Sequence, residues 1–196
     1  MLSFFDSMPQ WARNDGSLHV YALPDEATAD RLDELSARLE GLAGLPRQPR
    51  TWLHATISRL AQFDDLGQAG LSALAEELGR SLAGMGGFTV DLGAPEVVAG
   101  AVVCAGEPTA QWSALVDVVR GAALRFNPEP LPPAPALPHV SLAYATAEVD
   151  DAEVGSRIGD APALGAFAVR AVHLVSVTAR PELGSFDWTE LANWEL

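Results

Sequence analysis

The run Trp52-Leu53-His54-Ala55-Thr56-Ile57-Ser58-Arg59-Leu60 contains a pattern that returns 85 positions later in Pro138-His139-Val140-Ser141-Leu142. Both copies read histidine, apolar, hydroxyl, apolar: His54-Ala55-Thr56-Ile57 and His139-Val140-Ser141-Leu142. In an extended strand alternate residues share a face. Each copy therefore puts an imidazole beside a hydroxyl on one face and two apolar residues on the core face. Two such strands meeting in space would set two imidazoles and two hydroxyls around one cavity.

The flanking sequence repeats as well. Ser17–Leu23 reads as a strand, and Pro24-Asp25 opens a helix with Leu32, Leu35, Leu39 and Leu42 on one stripe. A turn through Pro46 and Pro49 leads to the first motif strand, Thr51–Leu60. Asp64 or Asp65 caps a second helix carrying Leu71, Leu74, Leu78 and Leu82, which Gly86-Gly87 stops, and Phe88–Leu92 alternates as a strand. The order then restarts with a strand at Val97–Cys104, a helix from Pro108 to about Arg125 and the second motif strand, His139–Ala145. An acidic helix at about 148–158 and a long strand at 166–178 follow, and Phe186–Leu191 reads as one more strand. The period is long and occurs twice, which indicates a duplicated lobe and not a solenoid. The expected organisation is an N-terminal extension, 1–16, and one bilobal domain, 17–196, with halves at about 17–93 and 97–180. The proline-rich stretch Pro128–Pro138 is read as an intramolecular connection.

Composition narrows the functional classes. The 196 residues, 48% hydrophobic and 19% charged, describe a globular chain with enough length for a real core. The net charge is −14 and all twelve cationic side chains are arginine. Such a surface repels long polyanions, because nonspecific nucleic-acid affinity comes from basic groups neutralising phosphates. A small phosphorylated ligand, or one RNA end entering a local cationic pocket, stays compatible. No apolar run is long enough for a transmembrane helix, and Met1-Leu2-Ser3-Phe4-Phe5-Asp6 is not a secretory signal. A single cysteine, Cys104, fits a reducing compartment and reads as a small buried hydrophobe. The cytoplasm is the expected location.

The motif pair suits phosphodiester chemistry. Opening a nucleoside 2′,3′-cyclic phosphate needs a base for the attacking water and an acid for the departing ribose oxygen, and histidine serves both near neutral pH. The hydroxyls of Thr56 and Ser141 would donate to the nonbridging oxygens. The scheme needs no metal and no cofactor, and the near symmetry leaves open which histidine is acid and which base.

With these residues in view, the chain resembles the 2H phosphoesterase superfamily, which includes the bacterial 2′-5′ RNA ligase-like proteins and the cyclic phosphodiesterases. The two motifs look like the HxTx pairs of that family. Leu18-His19-Val20-Tyr21-Ala22-Leu23-Pro24 is similar to its opening strand, and Val172-His173-Leu174-Val175-Ser176 onward to its closing strands. The resemblance covers about 17–196. It implies an α+β, bilobal, duplicated fold, with two antiparallel sheets lining a central groove and helices packed outside. It implies metal-independent phosphodiester hydrolysis, with His54 and His139 catalytic and Thr56 and Ser141 on the phosphate. The chain departs from the family at Ala143-Tyr144-Ala145, where many relatives carry a basic residue. A cationic phosphate contact is therefore absent there or comes from elsewhere. The alternative is a non-catalytic module that binds a phosphorylated nucleotide in the same groove.

Further candidates follow from strand parity. Arg50 and Trp52 share the His54 face, where they could reach an anion and stack on a base. His19 and Tyr21 share a face of the first strand and are candidates to line the groove. Strict alternation puts Arg59 on the opposite face and turns Tyr144 toward the core. His173 lacks a hydroxyl two residues on and reads as structural. Asp64-Asp65 and Asp150-Asp151 read as solvated helix starts, not metal ligands.

Overall fold

Leucine stripes and polar caps place the helices much as their spacing suggests, except that the helix opened by Pro24-Asp25 ends at Ala37 and leaves Leu39 and Leu42 beyond it. The computed structural model describes residues 1–8, 13–126 and 130–196. The described chain runs α1 (Phe4–Ser7), β1 (Ser17–Ala22), α2 (Glu26–Ala37), β2 (Ala55–Gln62), α3 (Phe63–Leu82), β3 (Phe88–Leu92), β4 (Pro95–Val98) and β5 (Ala101–Ala105). It continues with α4 (Ala110–Ala123), β6 (His139–Tyr144), α5 (Asp151–Ile158), β7 (Gly165–Val169), β8 (Ala171–Arg180) and β9 (Ser185–Glu195). Asp25, Thr109 and Asp150 accept from Thr28, Trp112 and Ala152 N–H and cap α2, α4 and α5. None of these helices is long and apolar enough to cross a membrane among the described residues.

Four local expectations are corrected. The motif strand does not begin at Thr51: Arg50–Trp52 form a 3-10 turn and β2 starts at Ala55. The strand expected at Val97–Cys104 is a hairpin, β4–β5, turning at Ala99 (φ 46) and Gly100 (φ 83). Two successive positive φ values are the geometry whose twist suits a two-residue hairpin. The long strand at 166–178 divides at Arg170 into β7 and β8, which belong to different sheets. Asp64 and Asp65 lie in the first turn of α3, favoured there by the helix dipole, and Gln62 occupies the cap position.

The main sheet has the order β4-β5-β6-β2-β1-β8-β9, and β3 pairs with β7 in a second, two-stranded sheet. Every pairing is antiparallel. Apart from β9, which has no counterpart, the order is symmetric about the β6–β2 junction. β5 flanks β6 as β1 flanks β2, β4 lies beyond β5 as β8 lies beyond β1, and β3 and β7 pair with each other. At the junction Ala55 pairs with Val140, the same position of the two motifs. The duplication inferred from sequence is thus a pseudo-twofold axis passing between the motif strands.

This architecture is α+β, with helices outside, and it refines the arrangement of the sheets. The two lobes join edge to edge in one sheet, whose opposite halves line the groove. The small sheet packs Val90, Leu92, Phe167 and Val169 into the main core. That core lies on one face of the large sheet and takes in the leucine stripes of α2 and α3 with Trp112, Leu115 and Val119 of α4. The other face carries a smaller cluster containing Tyr21, Tyr144, Val175, Val177 and Phe186. Against it pack Phe4, Phe5 and Met8 of the N-terminal segment. The groove opens on this second face.

Candidate active site

Both motif strands carry a β-bulge at the same place. Along β1–β2 the register passes from Val20↔Ser58 to Tyr21↔Thr56, leaving Ile57 as the extra residue. Along β5–β6 it passes from Val102↔Ala143 to Val103↔Ser141, leaving Leu142. Ile57 and Leu142 are equivalent positions of the duplication. A bulge spends one extra residue on one strand and inverts alternation beyond it. Arg59 and Tyr144, equivalent positions themselves, therefore return to the face of His54 and His139. Both line the groove, which corrects the parity reading of each.

The groove encloses about 430 Å3. Its floor presents His54, Thr56, Arg59, His19 and Tyr21 from the first lobe and His139 and Tyr144 from the second. Phe4 and Met8 close one side, and Pro133, Ala134 and Pro135 of the proline-rich connection close another. The start of that connection, Pro128, lies outside the described residues. Arg120 of α4 fixes the remainder by donating to Pro132 O at 2.7 Å and to Ser58 Oγ at 3.2 Å. The connection is thus tied to the lobes on both sides of it. Ser141 is buried and lines an adjoining chamber that shares Phe4, Pro135, His139 and Tyr144 with the groove.

The two imidazoles are held alike. His54 Nδ1 lies 2.7 Å from Trp52 O and His139 Nδ1 lies 3.0 Å from Leu137 O. A carbonyl only accepts, so each Nδ1 carries the proton, and in each neutral ring Nε2 is the basic nitrogen. Tyr21 stacks on His54 with ring centroids 3.8 Å apart and planes inclined by 16°. Burial, the largest cause, lowers the His54 pKa to about 4; the charge of His139 acts in the same direction and the Trp52 carbonyl opposes it.

Behind this pair runs a buried chain. Tyr21 Oη and Ser17 Oγ each lie 3.1 Å from a ring nitrogen of His19. Burial, then the charges of His54 and Arg59, hold His19 well below the usual imidazole range. A neutral His19 donates through one nitrogen and accepts through the other, so both hydroxyls are satisfied. Burial also raises Tyr21 and pushes Tyr144 up to about 12, so both phenols stay protonated. Burial lowers the Arg59 guanidinium, without bringing an arginine near neutrality at physiological pH.

Two sequence candidates lie away from the groove. Arg50 forms ion pairs with Glu26 at 2.9 Å and Asp30 at 2.7 Å on α2. Trp52 packs edge-on against Trp188 with centroids 5.5 Å apart, and it contributes its backbone carbonyl to His54. Both corrections have one cause: the 3-10 turn at Arg50–Trp52 breaks the parity that an extended strand would have kept. His173 pairs with Glu190 at 2.6 Å on the outer strands, as a structural histidine. Cys104 is buried, and burial and Glu96 push its thiol up to about 12. Sequence reasoning missed Arg59, Tyr144 and the walls made by Phe4, Met8 and Pro133–Pro135. The 85-residue offset between Arg59 and Tyr144 was the available signal for the first two. Among the described residues no group of three or more His, Cys, Asp or Glu side chains could hold a metal ion.

Comparison with known proteins gives a consistent fold. No family model matches the chain. No curated protein matches it. Among solved structures, Escherichia coli LigT complexed with 3′-AMP superposes with a TM-score of 0.69 at 20% identity, covering 93% of this chain and 98% of LigT. TT0787 of Thermus thermophilus gives a TM-score of 0.72 at 18% identity, covering 92% and 97%. A structure described as a phosphoesterase gives 0.69 at 21%, covering 92% and 98%. The chain therefore has the LigT-like α+β fold over nearly its whole length, consistent with the 2H phosphoesterase resemblance of its two motifs.

Proposed function

We propose that this protein is a metal-independent phosphoesterase that hydrolyses 2′,3′-cyclic phosphate or 2′-5′ phosphodiester bonds of small nucleotides or RNA ends. His54 and His139 would supply general acid/base catalysis. One observation carries the reading: two imidazoles on pseudo-symmetric strands face one groove, each with Nδ1–H tied to a carbonyl and Nε2 as its basic nitrogen. Solved LigT structures complexed with 3′-AMP and ATP support small nucleotides as ligands for a protein of this fold.

In this reading His54 is the base. Its depressed pKa keeps Nε2 unprotonated at neutral pH, ready to take the proton of a water attacking phosphorus in line. His139, protonated at Nε2, gives its proton to the departing ribose oxygen. Water adds hydroxide to phosphorus, the P–O bond to one ribose oxygen breaks, and the proton reaches that oxygen as a hydroxyl. A phosphomonoester remains on the other oxygen. Thr56 and Arg59 stabilise charge on the nonbridging oxygens, with Arg59 standing in for the cation absent after the second motif. Ser141, expected on the phosphate, is buried, lines the adjoining chamber and is hydrogen-bonded with Tyr144, so in this reading it holds the second-lobe side of the site instead.

The test is a panel of 2′,3′-cyclic nucleotides and 2′-5′-linked dinucleotides, assayed in excess chelator with wild type, His54→Ala and His139→Ala. Chelator-resistant hydrolysis with losses of roughly 10²–10⁴-fold in either variant is expected. Full activity in both variants would overturn the catalytic assignment. Tight binding without turnover across the panel would leave a nucleotide-binding module.

A further inference from the structure

The pseudo-twofold axis relates the two sides of the groove, yet their chemistry differs. On the first side β1 presents His19 opposite Arg59 and Tyr21 opposite Thr56. At the matching register on the second side, β5 presents Ala101 opposite Tyr144 and Val103 opposite Ser141. Two polar rings are thus replaced by two small aliphatic side chains, and the space they vacate is a chamber of about 300 Å3 continuous with the groove at His139 and Tyr144. Its walls are Val98, Ala101, Val103, Ala105 and Leu137, with Phe4 over the opening to the groove. Val98 and Leu137 are 46% and 38% exposed, apolar surface left at its mouth.

Beyond His139 at its junction with the groove, one charged side chain lines this chamber among the described residues, and it is a carboxylate: Glu96 of β4. Glu96 is exposed, lies opposite Val103 across the β4–β5 ladder, and shares the chamber lining with no arginine. A second phosphate would meet a negative charge there with no guanidinium to neutralise it. The aliphatic walls and the carboxylate therefore disfavour a second phosphate and suit an uncharged group. Its volume lies at the low end of small-molecule pockets, about 300–1,000 Å3, which suits one flat heterocycle and not an extended oligonucleotide.

Resting on the phosphoesterase reading of the groove, we propose that this chamber is the nucleobase subsite and that Glu96 makes it selective for bases with an N–H donor edge. A 2′,3′-cyclic phosphate held between His54 and His139 has both ester oxygens on one ribose, and the second-lobe side receives the base carried by that ribose. A carboxylate accepts two parallel bonds from adjacent N–H groups, as on the edge of guanine. It accepts one from the amino group of adenine or cytosine. It repels the carbonyl oxygens that flank the single N–H of uracil. The order of preference is guanine first, adenine and cytosine next, uracil last.

The experiment compares wild type, Glu96→Gln and Val103→Phe on the four 2′,3′-cyclic nucleotides and on the base-free cyclic phosphate of 1-O-methyl ribose. Calorimetric Kd values for guanosine and uridine 3′-monophosphates are measured in parallel. Wild type should favour guanosine over uridine by roughly tenfold in kcat/KM, the worth of one charge-assisted hydrogen bond. Glu96→Gln should bring that ratio, and the matching Kd ratio, to within about twofold of unity. Val103→Phe fills the chamber and should cut the nucleotide-to-base-free ratio by roughly tenfold or more. If nothing is turned over but the Kd ratio responds to Glu96→Gln as stated, the subsite stands and the phosphoesterase reading fails. If turnover is normal while neither ratio moves in either variant, the subsite is overturned and the phosphoesterase reading survives. Absence of both turnover and nucleotide binding overturns the two together.

Discussion

Replacing Tyr21 with leucine tests what keeps His54 neutral. The Tyr21 ring lies flat on the imidazole at 3.8 Å and could act in two opposed ways. As a cover it excludes water from one face and destabilises the imidazolium; as a π-donor it would stabilise the cation by about 0.5–2 kcal/mol. The depression from 6.5 to about 4, with burial as its largest cause, corresponds to roughly 3 kcal/mol against the charged form. Exclusion of water therefore outweighs any attraction to the ring. Tyr21→Leu admits water to that face, and the His54 pKa should rise by about one unit, or about 1.4 kcal/mol. Tyr21→Phe keeps the ring, drops the hydroxyl bond to His19, and should leave His54 within a few tenths of wild type. The assay is an NMR titration of the histidine Cε1–H signals, assigned with His54→Gln, alongside the pH dependence of kcat/KM. In the proposed reaction the acid limb of that profile should move upward with the NMR pKa in Tyr21→Leu. A lower His54 pKa in the leucine variant would show that the cation–π term dominates. A wild-type His54 titrating above pH 6 would refute the burial argument itself.

Three further outcomes are expected. Because the folded-state pKa values of His54 and His19 are depressed, the unfolded chain binds more protons as pH falls below 6.5, so stability falls with pH there; His54 should account for about 2 kcal/mol of the loss from pH 7 to pH 5 in urea titrations, read as the difference in slope between wild type and His54→Gln. Arg120→Met removes the donors to Pro132 O and Ser58 Oγ and should cost about 1.5–3 kcal/mol, with a raised KM as Pro133–Pro135 loosen over the groove. Gly100→Ala forces a side chain into φ +83 and sets its Cβ 2.8 Å from Leu2 O; a loss of roughly 1–2 kcal/mol and faster proteolysis of residues 1–8 are expected.

Sequence pattern carried much of the fold because the lobes are built from local signals. Helices α2, α4 and α5 follow Asp, Thr and Asp caps, and the leucine stripes predicted for α2 and α3 reach the core with Trp112, Leu115 and Val119 of α4. Duplication told which strands correspond, and Ala55↔Val140 is the pairing that correspondence demands. What escaped was what alternation cannot encode. A bulge has no residue signature at Ile57 or Leu142, so strict parity puts Arg59 and Tyr144 on the wrong face. The 3-10 turn at Arg50–Trp52 similarly removed two candidates from the groove, one of them to α2 carboxylates 20 and 24 positions earlier in sequence. The roof made by Phe4 and Met8 is a long-range packing event. Phe4 N–H donates to Ala145 O at 2.8 Å, and no local pattern in the first eight residues points to that partner.

Duplication alone yields two equal imidazoles, whereas the proposed hydrolysis needs unequal ones. The histidines themselves do not supply the difference, since both sit one residue before the pseudo-axis pairing and both tie Nδ1 to the carbonyl two residues back. It comes from the neighbouring strands. Tyr21 of β1 lies across His54, held there through His19 and Ser17, while the corresponding Val103 of β5 has no ring to stack, and no aromatic ring stacks on His139 among the described residues. The same exchange removes a polar wall on the second side and opens the chamber beside Glu96. In the proposed reaction one departure from symmetry, aromatic and imidazole on β1 against alanine and valine on β5, thus sets both which histidine serves as base and where an uncharged substituent fits. Acid/base roles and substrate orientation are therefore coupled in that reaction: reversing the substrate in the groove would also put the wrong proton carrier beside the leaving oxygen.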